Sequence, residues 1–221
     1  MAKNPAAVYS LTEDLLQKAF PQAQCELEEL IVYAKKHGQK EPLEHADISF
    51  WAKRLEEEKF SYTDEEIKPY FALEKVLDGL FSLCNKIFAI TVKPSTKKVE
   101  TWDENVRFYD IFDGNKHIAS FFLDPYSRPE NKRDGAWMND CLGRRKYSDG
   151  HVVLPIAYLV CNFTPPTASK PSLLTFRDVE TIFHEFGHGL QHMLTTIDYD
   201  GVSGIQGIEW RNLRLRNLSQ I

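Results

Sequence analysis

The run Asp178-Val-Glu-Thr-Ile-Phe-His-Glu-Phe-Gly-His-Gly-Leu-Gln-His-Met-Leu194 restricts what this chain can fold into more than any other stretch. At ~100° per residue, Val179, Ile182, Phe183, Phe186, Leu190 and Met193 fall on one stripe, so the segment is expected to be an amphipathic helix lying on an apolar surface. Thr175 is its expected cap, and the helix is expected to end near Leu194. The opposite face carries His184 and His188, ~40° apart around the axis and one turn apart along it. Two imidazoles so placed can close on one tetrahedral ion at ~2.0–2.1 Å. Glu185 follows the first of them by one residue and points to the side of such an ion. From there it can take a proton from a bound water and return it to a leaving amine. His184-Glu-Phe-Gly-His188 is thus a zinc-hydrolase pattern, with Zn2+ the implied cofactor. His192 lies about 12 Å of helix rise from His184, so one ion cannot hold both; it is expected at the surface or behind the ligands.

That helix needs a surface to rest on, and the preceding sequence offers strands. Val106–Ile111 alternates, Asp113-Gly-Asn115 is a turn, and Ile118–Leu123 answers it as a hairpin. A polar loop with Tyr126, Arg128, Lys132, Arg133 and Trp137 follows and could orient a peptide carboxylate or carbonyl, a role in which Tyr158 joins it; a solvated loop is the alternative. The run Val152–Phe163 is apolar on both faces, and Pro155 puts its start at an edge or ahead of pairing. If Pro155–Phe163 forms an edge, a peptide could add to it as a strand; a buried core strand is the other reading.

The first ninety residues read as helices. One begins at Pro5, Pro21 is expected to restart a second, Asp47 to cap a third running to Phe60, and Thr63-Asp-Glu-Glu66 to box a fourth that Pro69 interrupts. A longer helix carries Leu73, Val76, Leu77, Leu80, Phe81 and Phe88. The expected class is therefore α+β and predominantly helical, with a small antiparallel sheet under the histidine helix. Regions 1–95 (helical), 96–210 (sheet and site helix) and 211–221 (a tail) are expected.

Composition narrows the function classes. Thirty-two acidic against 27 basic residues leave a net charge of −5, which argues against nucleic acid as a partner. No stretch reaches the ~18 apolar residues of a membrane span. The four dispersed cysteines suit reduced thiols, and no secretory signal follows Met1. A cytoplasmic protein is expected, with a mitochondrion or plastid the alternative if a transit segment precedes Met1.

The motifs also carry a resemblance. The His184–Leu194 helix with Asp178–Phe183 before it, Lys68-Pro-Tyr-Phe71, Val76-Leu-Asp-Gly-Leu-Phe81, Val106-Arg-Phe-Tyr109, Phe122-Leu-Asp-Pro-Tyr-Ser-Arg-Pro129, Gly135-Ala-Trp-Met138 and Asn162-Phe-Thr164 resemble, in that order, the thimet oligopeptidase / oligopeptidase A family of zinc metallopeptidases, and within it the oligopeptidase A branch. The resemblance spans residues 1 to about 210. It implies a zincin-like endopeptidase core that admits short peptides through a deep channel, His184 and His188 as zinc ligands and Glu185 as general base. It also implies that the chain is a middle piece of a longer protein. In the family, Asp-Ala-Val-Glu follows the Gly207-Ile-Glu-Trp210 segment and supplies the third zinc ligand. Here Trp210 is followed by eleven residues with three arginines and no acid, and the ligand position is Arg214. A change of frame or splicing is the expected origin of that tail, and weakened zinc binding its expected consequence. Glu209 is a substitute third ligand by its spacing from His188. The alternative function is a non-catalytic product that binds peptide or a full-length partner.

Overall fold

The computed structural model describes residues 4–207, which divide between Glu66 and Ile67 into two compact units. In the first, α1 (Pro5–Lys36) is one continuous helix capped by Asn4, whose Oδ1 accepts from the Ala7 amide at 2.9 Å. The restart expected at Pro21 does not occur. Pro21 costs the Gln17 carbonyl its helical partner, but this part of the helix is exposed and water can take that place. Helix α2 (His45–Phe60) begins one turn ahead of expectation: Glu44 is the cap and Asp47 closes the box from the third position. The two helices meet through Leu30, Tyr33, Ala34 and Trp51. Tyr33 and Trp51 pack edge to face, and the Trp51 indole N–H donates to Gln39 at 3.1 Å. A short helix, α3 (Asp64–Ile67), opens on a hydrogen bond from the Thr63 amide to Glu66, and Pro69 lies in the 3-10 turn Lys68–Tyr70 that follows.

The second unit is built on a sheet of β1 (Ile90–Pro94), β2 (Arg107–Asp113), β3 (Lys116–Tyr126), β4 (Trp137–Leu142) and β7 (Ile156–Phe163), in the order β1-β2-β3-β7-β4. A separate two-stranded ribbon pairs β5 (Arg145–Lys146) with β6 (Val152–Val153). The β2–β3 hairpin turns at Asp113–Lys116 as its turn residues demand. The sheet is mixed where an antiparallel one was expected. After β3 the chain crosses to the far edge as β4, then returns through the ribbon and inserts β7 between β3 and β4, parallel to β3. The run Pro155–Phe163 is therefore an interior strand, and its proline stands just ahead of it, lending its carbonyl to the Ser120 amide at 3.1 Å. The edge beside the histidine helix is β4.

One face of this sheet is dry. Ile111, Ala119, Phe121, Leu123, Ala157, Leu159, Cys161 and Phe163 point to it and meet helices α4 (Leu73–Phe88) and α5 (Phe176–Met193). Alternation along the strands turns Asp110, Ser120, Phe122, Asp124, Tyr158 and Val160 to the other face. Phe186 of α5 stands at the centre, with ring centroids 5.4 Å from Phe121 and 6.0 Å from Phe81. No helix among the described residues is long and apolar enough to cross a membrane.

Candidate metal and proton-transfer site

Helix α5 is fixed before its chemistry begins. Thr175 caps it, accepting from the Asp178 amide at 3.1 Å, while Asp178 accepts in return from the Thr175 amide at 2.8 Å. Its stripe of Ile182, Phe186, Leu190 and Met193 is buried, as the period predicts. Gly189 lets it sit close on β7, since a Cβ there would come within 3.1 Å of Leu159.

On the other side His184 and His188 are half-buried, and their Nε2 atoms lie 3.1 Å apart with the rings at 84°. Two nitrogen lone pairs at that distance repel each other unless a positive centre lies between them, either a proton or a cation. Two zinc–nitrogen bonds of ~2.0–2.1 Å at a tetrahedral angle span about 3.3–3.4 Å, close to the separation observed here. Burial, and after it the neighbouring His184, hold His188 below the usual histidine range, which keeps it in the neutral form a metal needs. The residues thus fit two of the three protein positions of a catalytic zinc. Among the described residues no cluster of three ligating side chains occurs. Glu209 and Arg214, the two positions considered for the third, lie outside the described residues.

Burial raises the Glu185 carboxyl above its ordinary range, against the opposing pull of His184 and of a hydrogen bond from the Met138 backbone N–H. A carboxylate in that state is a better proton acceptor than an exposed one. Met138 belongs to β4, the edge strand that packs against α5.

The other expected site residues go elsewhere. Arg128, Trp137 and Tyr158 come together, but on the face of the sheet turned away from α5, around a cavity of about 460 Å³ with Trp102, Asp124 and Lys132. Tyr126 is apart from them, buried at the end of β3, where its hydroxyl accepts from Arg107 at 3.4 Å. Arg128 is engaged: it grips Asp124 with both terminal nitrogens, at 2.8 and 2.7 Å, and Asp103 at 3.2 Å. The Trp102 and Asp124 partnership was invisible in the sequence, since 22 positions separate them. His192, expected at the surface or behind the ligands, is fully buried.

The model of peptidase family M3 matches residues 1–212. The chain belongs to peptidase family M3. Among the relatives, oligopeptidase A of Escherichia coli K12 is 44% identical over 216 residues, which is 97% of this chain and 32% of that one. The organellar (chloroplastic/mitochondrial) oligopeptidase A of Arabidopsis thaliana is 46% identical over 211 residues, 93% of this chain and 27% of that one. Dipeptidyl carboxypeptidase of E. coli K12 is more distant, 34% identical over 92% of this chain and 30% of its own. The chain therefore spans about a third of the length of the curated relatives it matches. The M3 family is the one the motifs around His184–Leu194 resemble.

Proposed function

We propose that this chain carries the metal-binding and base-bearing part of a zinc-dependent endopeptidase that hydrolyses short peptides. The observation that carries this is the pair of Nε2 atoms 3.1 Å apart on the half-buried His184 and His188, with Glu185 next to His184 on the same helix. His184 and His188 would hold the ion. Zinc, when bound there, supplies a Lewis acid for the scissile carbonyl and lowers the pKa of water. Glu185 takes the proton of the attacking water on its carboxylate and hands it to the departing amine nitrogen. Its partly buried setting favours both steps, because the protonated and ionised forms lie closer in energy there than in bulk water.

The peptide partner is expected along β4. This strand ends the sheet, so its backbone away from β7 can take an added strand, and it packs against the helix that carries Glu185. Arg128 and Tyr158 act in this reading by holding the back of the sheet, behind the strand a substrate would use. With Arg214 at the family's third ligand position, zinc affinity of this chain is expected to be weaker than that of a three-ligand site.

The test is hydrolysis of an internally quenched oligopeptide by the chain extended with the remainder of a relative such as E. coli oligopeptidase A. Chelator-sensitive cleavage that Glu185→Gln abolishes while zinc stays bound is the expected result. Cleavage undiminished in Glu185→Gln would overturn the assignment.

A further inference from the structure

We propose that the cavity on the face of the sheet turned from α5 is a second binding site, which takes an aromatic carboxylate of amino-acid size, such as the C-terminal phenylalanine of a peptide. Pairing register builds it. Val160 of β7 lies opposite Asp124 of β3 on one side and Trp137 of β4 on the other, and in the next row Tyr158 lies opposite Phe122 and Asn139. Partners in register put their side chains on one face, so β7 supplies the floor and β4 an indole beside it. Trp102, from the segment before β2, stands on the β3 side. Its ring centroid is 5.4 Å from Phe122 and 5.6 Å from Tyr158, and its N–H donates to Asp124 at 2.9 Å. The two indoles are 51% and 46% exposed although they flank a cavity of about 460 Å³ whose floor includes the buried Val160. Only something placed beside them can withdraw that apolar surface from water, and a planar ring does so with the best contact.

The charges sort in the same way. Arg128 and Lys132 face Asp124, and Arg128 also faces Asp103, so two cations and two anions cancel. Lys132 spends its three protons on Asp124 Oδ1 and on the carbonyls of Asp124 and Tyr126. Arg128 spends three of its five N–H groups and keeps two. Arg133 lines the same cavity, is exposed, and carries no ion pair among the described residues. Its backbone is held in place, because the Asn162 side-chain amide of β7 donates to the carbonyls of Arg133 and Gly135. What remains unspent is therefore guanidinium N–H groups and a single positive charge. That set matches a planar monoanion, and a guanidinium grips a carboxylate in a fork. A phosphate ester, near two negative charges at neutral pH, would be only half neutralised. The volume agrees: ligand cavities run from about 300 to 1,000 Å³, and this one lies in the lower part of that range, nearer to a single residue than to a nucleotide. His184 and His188 belong to α5, across the sheet, so the site is separate from the proposed metal centre.

The inference does not rest on the peptidase reading. Its test uses the metal-free 221-residue chain with N-acetylphenylalanine as the probe. In nitrogen–proton spectra the indole N–H signals of Trp102 and Trp137 are expected to move saturably, half-way below about 1 mM, while that of Trp51 stays. N-acetylphenylalanine amide lacks the charge and N-acetylglycine lacks the ring, and each is expected to need about tenfold more or worse. Arg133→Gln should bring acid and amide to within about twofold of each other. Trp137→Ala, read at Trp102, should weaken the acid about fivefold. Both side chains are exposed, so neither change threatens the fold. The variant with His184→Ala and His188→Ala should bind the acid as the unaltered chain does. No saturable movement up to about 10 mM, equal binding of acid and amide, a preference that survives Arg133→Gln, or tighter binding of adenosine monophosphate than of the acid overturns the proposal. Loss of the acid in the double histidine variant overturns it too, by placing the probe at the other face. A chain that binds the acid but no zinc would sink the peptidase reading and leave this one standing.

Discussion

On the face of the sheet turned from α5, Asp124 is 2% exposed and every oxygen is answered: Oδ1 accepts from Arg128 and Lys132, Oδ2 from Arg128 and Trp102, all within 2.7–2.9 Å. On the α5 face, the described residues offer the two histidines no hydrogen-bond partner besides each other, 3.1 Å apart, and burial raises the Glu185 carboxyl. Both groups are partly or wholly withdrawn from water. The first is closed and is the mark of structure. The second leaves donors and acceptors unspent and is where a ligand has something to gain.

The contrast breaks most visibly if Asp124 proves dispensable. Asp124→Ala would leave Arg128 and Lys132 beside an empty, half-dry pocket, and a loss of about 3–5 kcal/mol in chemical denaturation is expected. A loss under about 1 kcal/mol would mean that the cluster is not a closed structural node.

Acid sharpens the same contrast by sign. Burial alone would raise the Asp124 carboxyl, but the bonds from Arg128, Trp102 and Lys132 outweigh it and hold it below the usual range. Its stabilising contribution is present above the ordinary aspartate pKa of about 3.9 and is lost as pH falls through the lower, folded value. Glu185 is raised, so its charge opposes folding at neutral pH and that cost vanishes on protonation. Melting curves from pH 7 down to about 2.5 should lose part of their acid sensitivity in Asp124→Asn. Glu185→Gln at pH 7 should be neutral or stabilising, by up to about 1 kcal/mol.

The smallest effect is expected from the histidine pair itself. With no metal bound, His184→Ala together with His188→Ala should change stability by no more than about 1 kcal/mol, because neither ring anchors anything in the core. A collapse of the fold in that double variant would make the pair structural and cancel the contrast.

What could be read from the chain beforehand was what is local. Helix α5, its Thr175 cap, its buried stripe and its histidine pair follow from spacing alone, and so does the β2–β3 hairpin, whose turn residues admit little else. The place of β7 did not follow. An apolar run suits an interior or an edge strand equally, and its parallel partner β3 is joined to it only through β4 and the ribbon. Pro21 misled because a proline inside a helix removes one hydrogen bond and strains the turn before it without having to end the helix. Arg128 and Tyr158 looked like substrate contacts because charge and aromaticity are readable in a sequence, whereas the face of the sheet they occupy depends on pairing register.

The account stands or falls on zinc binding by the 221-residue chain, measured by competition with a coloured chelator, beside the variant carrying His184→Ala and His188→Ala. It predicts one zinc held by the chain and lost with the two rings. Equal zinc uptake by chain and double variant, or none by either at millimolar metal, would contradict it.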